Sequence, residues 1–296
     1  MPSTSFVKRS LKFSFSLTGN AVFESSGTNV LTIEGLRATA TLRSAGAAFA
    51  PSAMLQIFGM SQSDMNALTF LAFDPRGLNR NSVTVTADGR VAFVGQIIQA
   101  GPEYGAMPDV YLQVEALTGY IEQISPADVC SINGTASIVE VMQRLADAYG
   151  VKLENNGVTG TTSCTYLPSS LGEQLRTFAE HANIDLYRDA DVIAITPKGQ
   201  PRKVQLVNLT PTTGLIGYPT IDARGIQVRC LYNPGLRFGG SVHVESDSTG
   251  VLDRLFPRKA NGDWWIYALD HYLQSETPGG AWESNLGCSA FRQGGT

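Results

Sequence analysis

Val83-Thr84-Val85-Thr86-Ala87-Asp88-Gly89-Arg90-Val91-Ala92-Phe93 sets an Asp-Gly pair between two runs rich in β-branched and aromatic residues. Asp-Gly tolerates the left-handed backbone of a two-residue turn, so the stretch predicts a β-hairpin. Working outward, Leu11-Lys12-Phe13-Ser14-Phe15-Ser16-Leu17 alternates strictly and predicts a strand with one buried face. Val30 to Thr41, Ala53 to Phe58 and Asp109 to Leu117 predict further strands. The last of these puts Val110, Leu112 and Val114 on one face and Tyr111, Gln113 and Glu115 on the other. Between them, Ser61 to Phe70 predicts one short capped helix carrying Met65 and Leu68. Residues 1–125 thus predict a β domain, either a small barrel or a sandwich.

From 126 to 200 the apolar period changes from two to 3.6, and the sequence repeats itself. Ser137 to Leu153 lies over Ser170 to Leu186 at a constant offset. Each copy opens with Ser-x-x-Glu, the pattern of a capping box, and closes on Gly150 or Asn183, residues suited to a left-handed C-terminal cap. The stripe Ile138, Val141, Met142, Leu145, Tyr149 answers Leu171, Leu175, Phe178, Ala182. The prediction is two amphipathic helices, each followed by a strand, the second running on through Val192 to Ile195. Two copies are too few for a solenoid, so a small α+β domain is expected.

Pro197-Lys198-Gly199-Gln200-Pro201 predicts a linker, after which β signals return. Val204 to Leu209, Gly225 to Tyr232, Ser241 to Glu245 and Trp264 to Tyr272 predict strands, with proline and glycine between them as punctuation. Residues 201–296 predict a second barrel or sandwich. The fold class is mainly β with an α+β insert, divided as 1–125, 126–200 and 201–296.

Composition agrees with turn-rich β structure. Charged residues make up 16% of the 296, against about 25% in ordinary soluble domains, and there are 30 glycines. Disordered, coiled-coil and charge-laced chains do not look like this. The net charge is −4 and no run of like charges occurs, which offers no electrostatic grip on nucleic acid. Apolar stretches such as Val91 to Ile98 are broken by Gly95 and Gln96, so membrane insertion is not expected. Lys8, Arg9 and Lys12 precede an alternating segment rather than a continuous apolar one, which argues against a secretion signal. Cys130, Cys164, Cys230 and Cys288 stand singly, and in an unsignalled chain they predict buried free thiols.

Catalytic patterns are missing from the sequence. It holds no phosphate-binding glycine loop, no nucleophile elbow and no His-Glu-x-x-His. Of three histidines, His181 falls on the solvent side of the second helix and His243 shares an outer strand face with Glu245. His271 follows Asp270, but neighbours in a strand point to opposite faces and cannot bond each other as a triad requires. No catalytic residue, metal site or cofactor is expected, and the chain reads as a non-enzyme.

Trp264-Trp265-Ile266-Tyr267-Ala268-Leu269 is apolar on both faces. Alternation sets Trp265, Tyr267 and Leu269 against Trp264, Ile266 and Ala268. Two readings stand: a strand buried between the second β domain and the helical one, or a strand with one face in a subunit contact enriched in aromatics. A sugar platform is a third. The candidate interface residues are Trp264, Trp265, Tyr267, Leu269, His271 and Trp282.

Three stretches, taken in order, carry a resemblance. They are Arg90 to Ala100 followed by Pro108 to Ala116, with the form F-x-G-x-I at Phe93 to Ile97; the pair of capped helices; and Leu209-Thr210-Pro211, Gly214 to Pro219, Gly225 to Val228 and Tyr232-Asn233-Pro234, with Gly262 to Trp265, His271 and Trp282. Their order resembles the baseplate hub proteins of phage tails, related to the hub portion of type VI secretion spikes. The resemblance implies two tube-like antiparallel β-barrel domains flanking the α+β domain. It implies a homotrimeric ring that joins a six-fold tail tube, or a tube-initiator protein, to a three-fold central spike, with baseplate wedge proteins as further contacts. DNA would pass through the ring's channel without specific binding. The implied place is the virion tail, assembled in the host bacterial cytoplasm. The rival readings are a tail-associated carbohydrate- or peptidoglycan-directed enzyme and a sugar-binding adhesin.

Overall fold

The computed structural model describes residues 9–45, 50–69, 80–189, 191–246 and 260–291, with the Cys164 side chain excepted. Lys8 and Phe70, which entered the sequence reading, lie outside them. The protein is mainly β, with 48% strand and 15% helix. The described residues fall into two compact units, one drawn from Met1–Leu42, Ser52–Thr118 and Tyr272–Trp282, the other from Arg43–Pro51, Gly119–His271 and Glu283–Thr296.

The first unit contains β1 (Leu11–Ser16), β2 (Val30–Glu34), β3 (Ala38–Ala45, whose end from Arg43 belongs to the second unit), β4 (Ser52–Phe58), helix α1 (Gln62–Leu68), β5 (Ser82–Ala87), β6 (Arg90–Glu103) and β7 (Tyr111–Leu117). Their order across the sheet is β3-β4-β7-β6-β5-β1-β2. The hairpin forms as its sequence demands: Asp88 and Gly89 take φ of 48° and 77°, and β5 pairs antiparallel with β6. Alternation is obeyed, so that Leu11, Phe13, Phe15, Val83, Val85, Leu55, Ile57, Leu112 and Val114 are all buried. Ser61 caps α1 by accepting a bond from the Asp64 N–H at 3.2 Å.

A closed barrel is not found among the described residues, and β2 shows why. Val30, Thr32 and Glu34 are exposed while Leu31 and Ile33 are only half-buried, so one face of β2 is open and the other only partly covered. A closing strand would bury one of these sets. Instead β2 pairs, among the described residues, with β1 alone.

The second unit contains α2 (Tyr120–Ile124), β8 (Cys130–Ser137), α3 (Ile138–Tyr149), β9 (Lys152–Asn155), β10 (Thr161–Leu167), α4 (Leu171–His181), β11 (Ile184–Arg188) and β12 (Val192–Pro197). There follow β13 (Val207–Leu209), β14 (Thr220–Ile221), β15 (Ile226–Leu231), β16 (Ser241–Val244), β17 (Gly262–Ser275) and β18 (Trp282–Ser289). The ends of β17 and β18 nearest their connecting turn belong to the first unit.

Helices α3 and α4 are the two copies of the repeat. Val141, Met142, Leu145, Leu175 and Phe178 are buried in one cluster with Ile193 and Ile195 of β12. Gly150 (φ 74°) and Asn183 (φ 53°) take the left-handed conformation that ends each helix. The N-termini differ from a capping box. Ser170 accepts from the Glu173 N–H, but Ser137 makes no side-chain capping bond, and the Glu173 carboxylate is held by Arg176. Strand β9 pairs parallel with β12, and β12 antiparallel with β11. A second cluster collects Val228, Cys230, Leu236, Phe238, Val242, Val244, Ile266, Leu269, Leu286 and Cys288 around β15, β16, β17 and β18.

Candidate interface

Strand β17 carries most of the candidate interface, and its burial does not follow simple alternation. Ile266 and Leu269, three residues apart, are both buried in the second cluster at 1% and 5% exposure. Trp264 and Trp265 are half-buried and both pack against it. The strand is pinned there from the loop before β16, since the Ile266 N–H donates to the Gly240 carbonyl and the Gly239 N–H to the Ile266 carbonyl. The Trp264 indole donates to the Ala260 carbonyl at 2.9 Å.

Tyr267 lies over Gly287 of β18, where any Cβ would stand 2.8 Å from the ring. Its hydroxyl accepts from Gln227 at 2.9 Å. His271 stacks edge-on against Tyr232 and meets the Ser284 hydroxyl at 2.7 Å through Nδ1. Trp282 is 5% exposed and belongs to the first unit, where its indole donates to Asp88 of the hairpin turn at 3.1 Å. Leu269 and Trp282 are therefore committed to the chain's own packing, while Trp264, Trp265, Tyr267 and His271 keep partial exposure.

Burial pushes the His271 pKa down to about 4, with the Arg237 charge adding to the effect. The unfolded chain then binds one more proton than the folded one between about 6.5 and 4. The contribution is complete above the unfolded value and is lost as pH falls through that window. The shift is worth up to about 3 kcal/mol. Unfolding free energies against pH should show this slope in the parent chain and lose it in His271→Gln. Parallel profiles would contradict the assignment.

The exposed apolar surface lies elsewhere, and sequence reasoning missed it. Tyr218, Ile221 and Leu231 are 58%, 59% and 47% exposed around β14 and the end of β15. In the first unit Tyr104 and Met107 project from the connection between β6 and β7, with Met107 at 74%. Tyr218 and Ile221 lie among the proline and glycine punctuation between predicted strands, and Leu231 lies in the strand predicted over Gly225 to Tyr232, where alternation does not show that its face is uncovered.

The expected linker is bonded in place. Asp185 accepts from the Gly199 N–H at 2.6 Å and pairs with Lys198 at 2.7 Å. Arg202 is buried at 4% exposure and grips Glu154 with two bonds, 3.1 and 2.9 Å, while donating to the Phe238 carbonyl at 3.1 Å. Arg202 holds the Glu154 carboxyl below its usual range. Asn156 donates to the same carboxylate and accepts from the Lys203 N–H.

His243 pairs with Asp263 rather than with a metal set, and His181 is exposed as expected. Among the described residues no group of three or more His, Cys, Asp or Glu side chains is placed to hold a metal ion. Likewise no described helix is long and apolar enough to cross a membrane. Cys130, Cys230 and Cys288 are buried free thiols, each with its pKa raised chiefly by burial.

This fold is that of phage tail proteins. It is similar to the tail protein from Neisseria meningitidis MC58 (TM-score 0.61, 10% identity, 95% of this chain and 96% of that one). It is similar also to the prophage MuSo2 43 kDa tail protein from Shewanella oneidensis (TM-score 0.57, 10% identity, 94% and 97%). A chain of the Francisella PdpA-VgrG complex matches at TM-score 0.52 and 7% identity, over 97% of this chain and 58% of that one. No curated protein matches the sequence. The model of the family described as baseplate hub gp41 matches residues 19–278, and the chain belongs to that family.

Proposed function

We propose that the protein is a non-enzymatic structural hub of a phage baseplate, acting as a homotrimeric ring between the tail tube and the central spike, with DNA passing through its channel. The observation that carries this is the family match over 19–278, together with a fold shared with tail proteins along nearly their whole length. Spike and tube partners are supported by membership of the baseplate hub family, with which the likeness to a chain of the Francisella PdpA-VgrG complex agrees.

The sheets offer a way to assemble. Among the described residues β2 and β14 each have one side without a paired strand; β2 carries no proline, lysine or bulge of the kind that blunts such edges, whereas β14 is only two residues long. Joining between chains would pair these sides and complete barrels that one chain leaves open. Tyr218, Ile221 and Leu231 then extend the candidate contact beyond Trp264, Trp265, Tyr267 and His271. The division into 1–125, 126–200 and 201–296 is part of this reading, with the middle segment as an α+β insert. The 201–296 cluster reaches back across the boundary between its second and third parts to take in Tyr187 and Ala194, and both parts, Tyr272–Trp282 apart, fall in one compact unit.

Residence in the virion tail, and assembly in the host cytoplasm, are the corresponding locations. Quantitative mass spectrometry of purified tails should count three copies per particle. Absence from tails, or a six-fold count, would refute the hub reading.

A further inference from the structure

Three Asn-Gly pairs occur in the chain, at 133–134, 156–157 and 261–262. This dipeptide is chemically labile because glycine, lacking a Cβ, lets its backbone nitrogen reach the asparagine side chain. The fold treats the three differently. Asn156 is 5% exposed and fully engaged, its amide donating to Glu154 and its oxygen accepting from the Lys203 N–H. Asn261 accepts from both the backbone and the hydroxyl of Ser246, at 2.9 and 2.8 Å.

Asn133 is exposed, and no hydrogen bond holds its side chain among the described residues. Its backbone is also released from the ladder. Strand β8 pairs Ile132 with Thr165 and Thr135 with Ser163, so Asn133 and Gly134 together face the single residue Cys164 in a bulge. Gly134 takes φ 85° with no atom within 4 Å of where a Cβ would stand. Exposure, a free amide, a bulged backbone and open space thus coincide at one of the three pairs.

We infer that Asn133 is a site of spontaneous deamidation in the folded protein. The deprotonated Gly134 nitrogen attacks the Asn133 side-chain carbonyl carbon and forms a C–N bond. The side-chain amide leaves as ammonia, taking up a proton from solvent, and a cyclic imide results. Water adds to either imide carbonyl and opens the ring to aspartate or isoaspartate; no electrons are transferred. The product places a new negative charge in the β8 bulge and, in the isoaspartate form, one extra backbone carbon opposite β10.

The full chain is incubated at mildly alkaline pH, once in native buffer and once in denaturant, and conversion at each asparagine is read by peptide mass spectrometry. In native buffer Asn133 should convert several-fold faster than Asn156 and Asn261, and in denaturant that advantage should collapse. An acidic charge variant should accumulate in the parent chain and not in Asn133→Gln. Equal native rates, an unchanged ranking in denaturant, or an acidic variant persisting in Asn133→Gln would overturn the assignment.

Discussion

Phe178→Ala is expected to lower the unfolding free energy by about 3–5 kcal/mol, the range for truncating a fully buried aromatic. Phe178 is 1% exposed and sits in a cluster with Val141, Met142 and Leu145 of α3 and Ile193 and Ile195 of β12. No exposed side is available through which that site could be refilled by solvent at low cost. Truncation therefore removes the contacts of α4 with both its partner helix and the sheet. A control on the opposite face sharpens the claim. Glu180 is 61% exposed and pairs with Arg176 across one helical turn, so Glu180→Ala should change stability by about 0.5 kcal/mol or less. Denaturant unfolding of both variants decides the matter, and similar midpoints would mean that α4 does not pack as described.

The second large effect belongs to Arg202. Arg202→Ala leaves Glu154 without its two charge-assisted bonds and the Phe238 carbonyl without a donor. Breaking a buried pair from one side costs about 3–5 kcal/mol. Glu154 keeps 34% of its side-chain surface and can rehydrate, so the lower end is expected. The pair also sets an acid dependence. Because the folded carboxyl titrates below its ordinary value of 4.5, its contribution is complete above that pH and disappears as pH falls through the lower folded value. Arg202→Ala should lose both the stability and this acid slope. The double change Arg202→Met with Glu154→Leu should recover most of the loss by replacing the charges with packing. A single variant as stable as the parent would show that the junction does not hold residues 154 and 202 together.

These effects bear on how far the fold could be read in advance. The hairpin at Asp88-Gly89, β1, β4, β7 and the two repeat helices follow from local chemistry, because turn residues, period and helix-ending residues all agree there. Strand β18 did not announce itself. Its buried positions Trp282, Ser284, Leu286 and Cys288 do alternate, but serine, asparagine and glycine favour other structure, and Ser284 is acceptable inside only because His271 meets its hydroxyl. Strands β8 and β10 were hidden for a similar reason, being rich in Ser, Thr and Gly and interrupted by a bulge.

The aromatic enrichment of β17 is visible in composition, and the placement of its side chains is not. Strict alternation along β17 assigns Trp265, Tyr267 and Leu269 to one face. The burial of Ile266 together with Leu269 breaks that parity. Likewise Trp282 reads as surface aromatic until the Asp88 carboxylate that receives its indole is known, 194 residues earlier in the chain. Arg202, just beyond the expected linker, carried no signal in the sequence, since a buried charge is recognisable only beside its partner.

The central claim is that three copies of this chain close into a ring, and the particle mass of the purified protein in solution tests it most directly. The account predicts a mass three times that of the chain, stable to dilution because obligate interfaces of this kind bury about 2,000 Å² or more. A monomer at every concentration, with the edges at β2 and β14 left open to solvent, would contradict it.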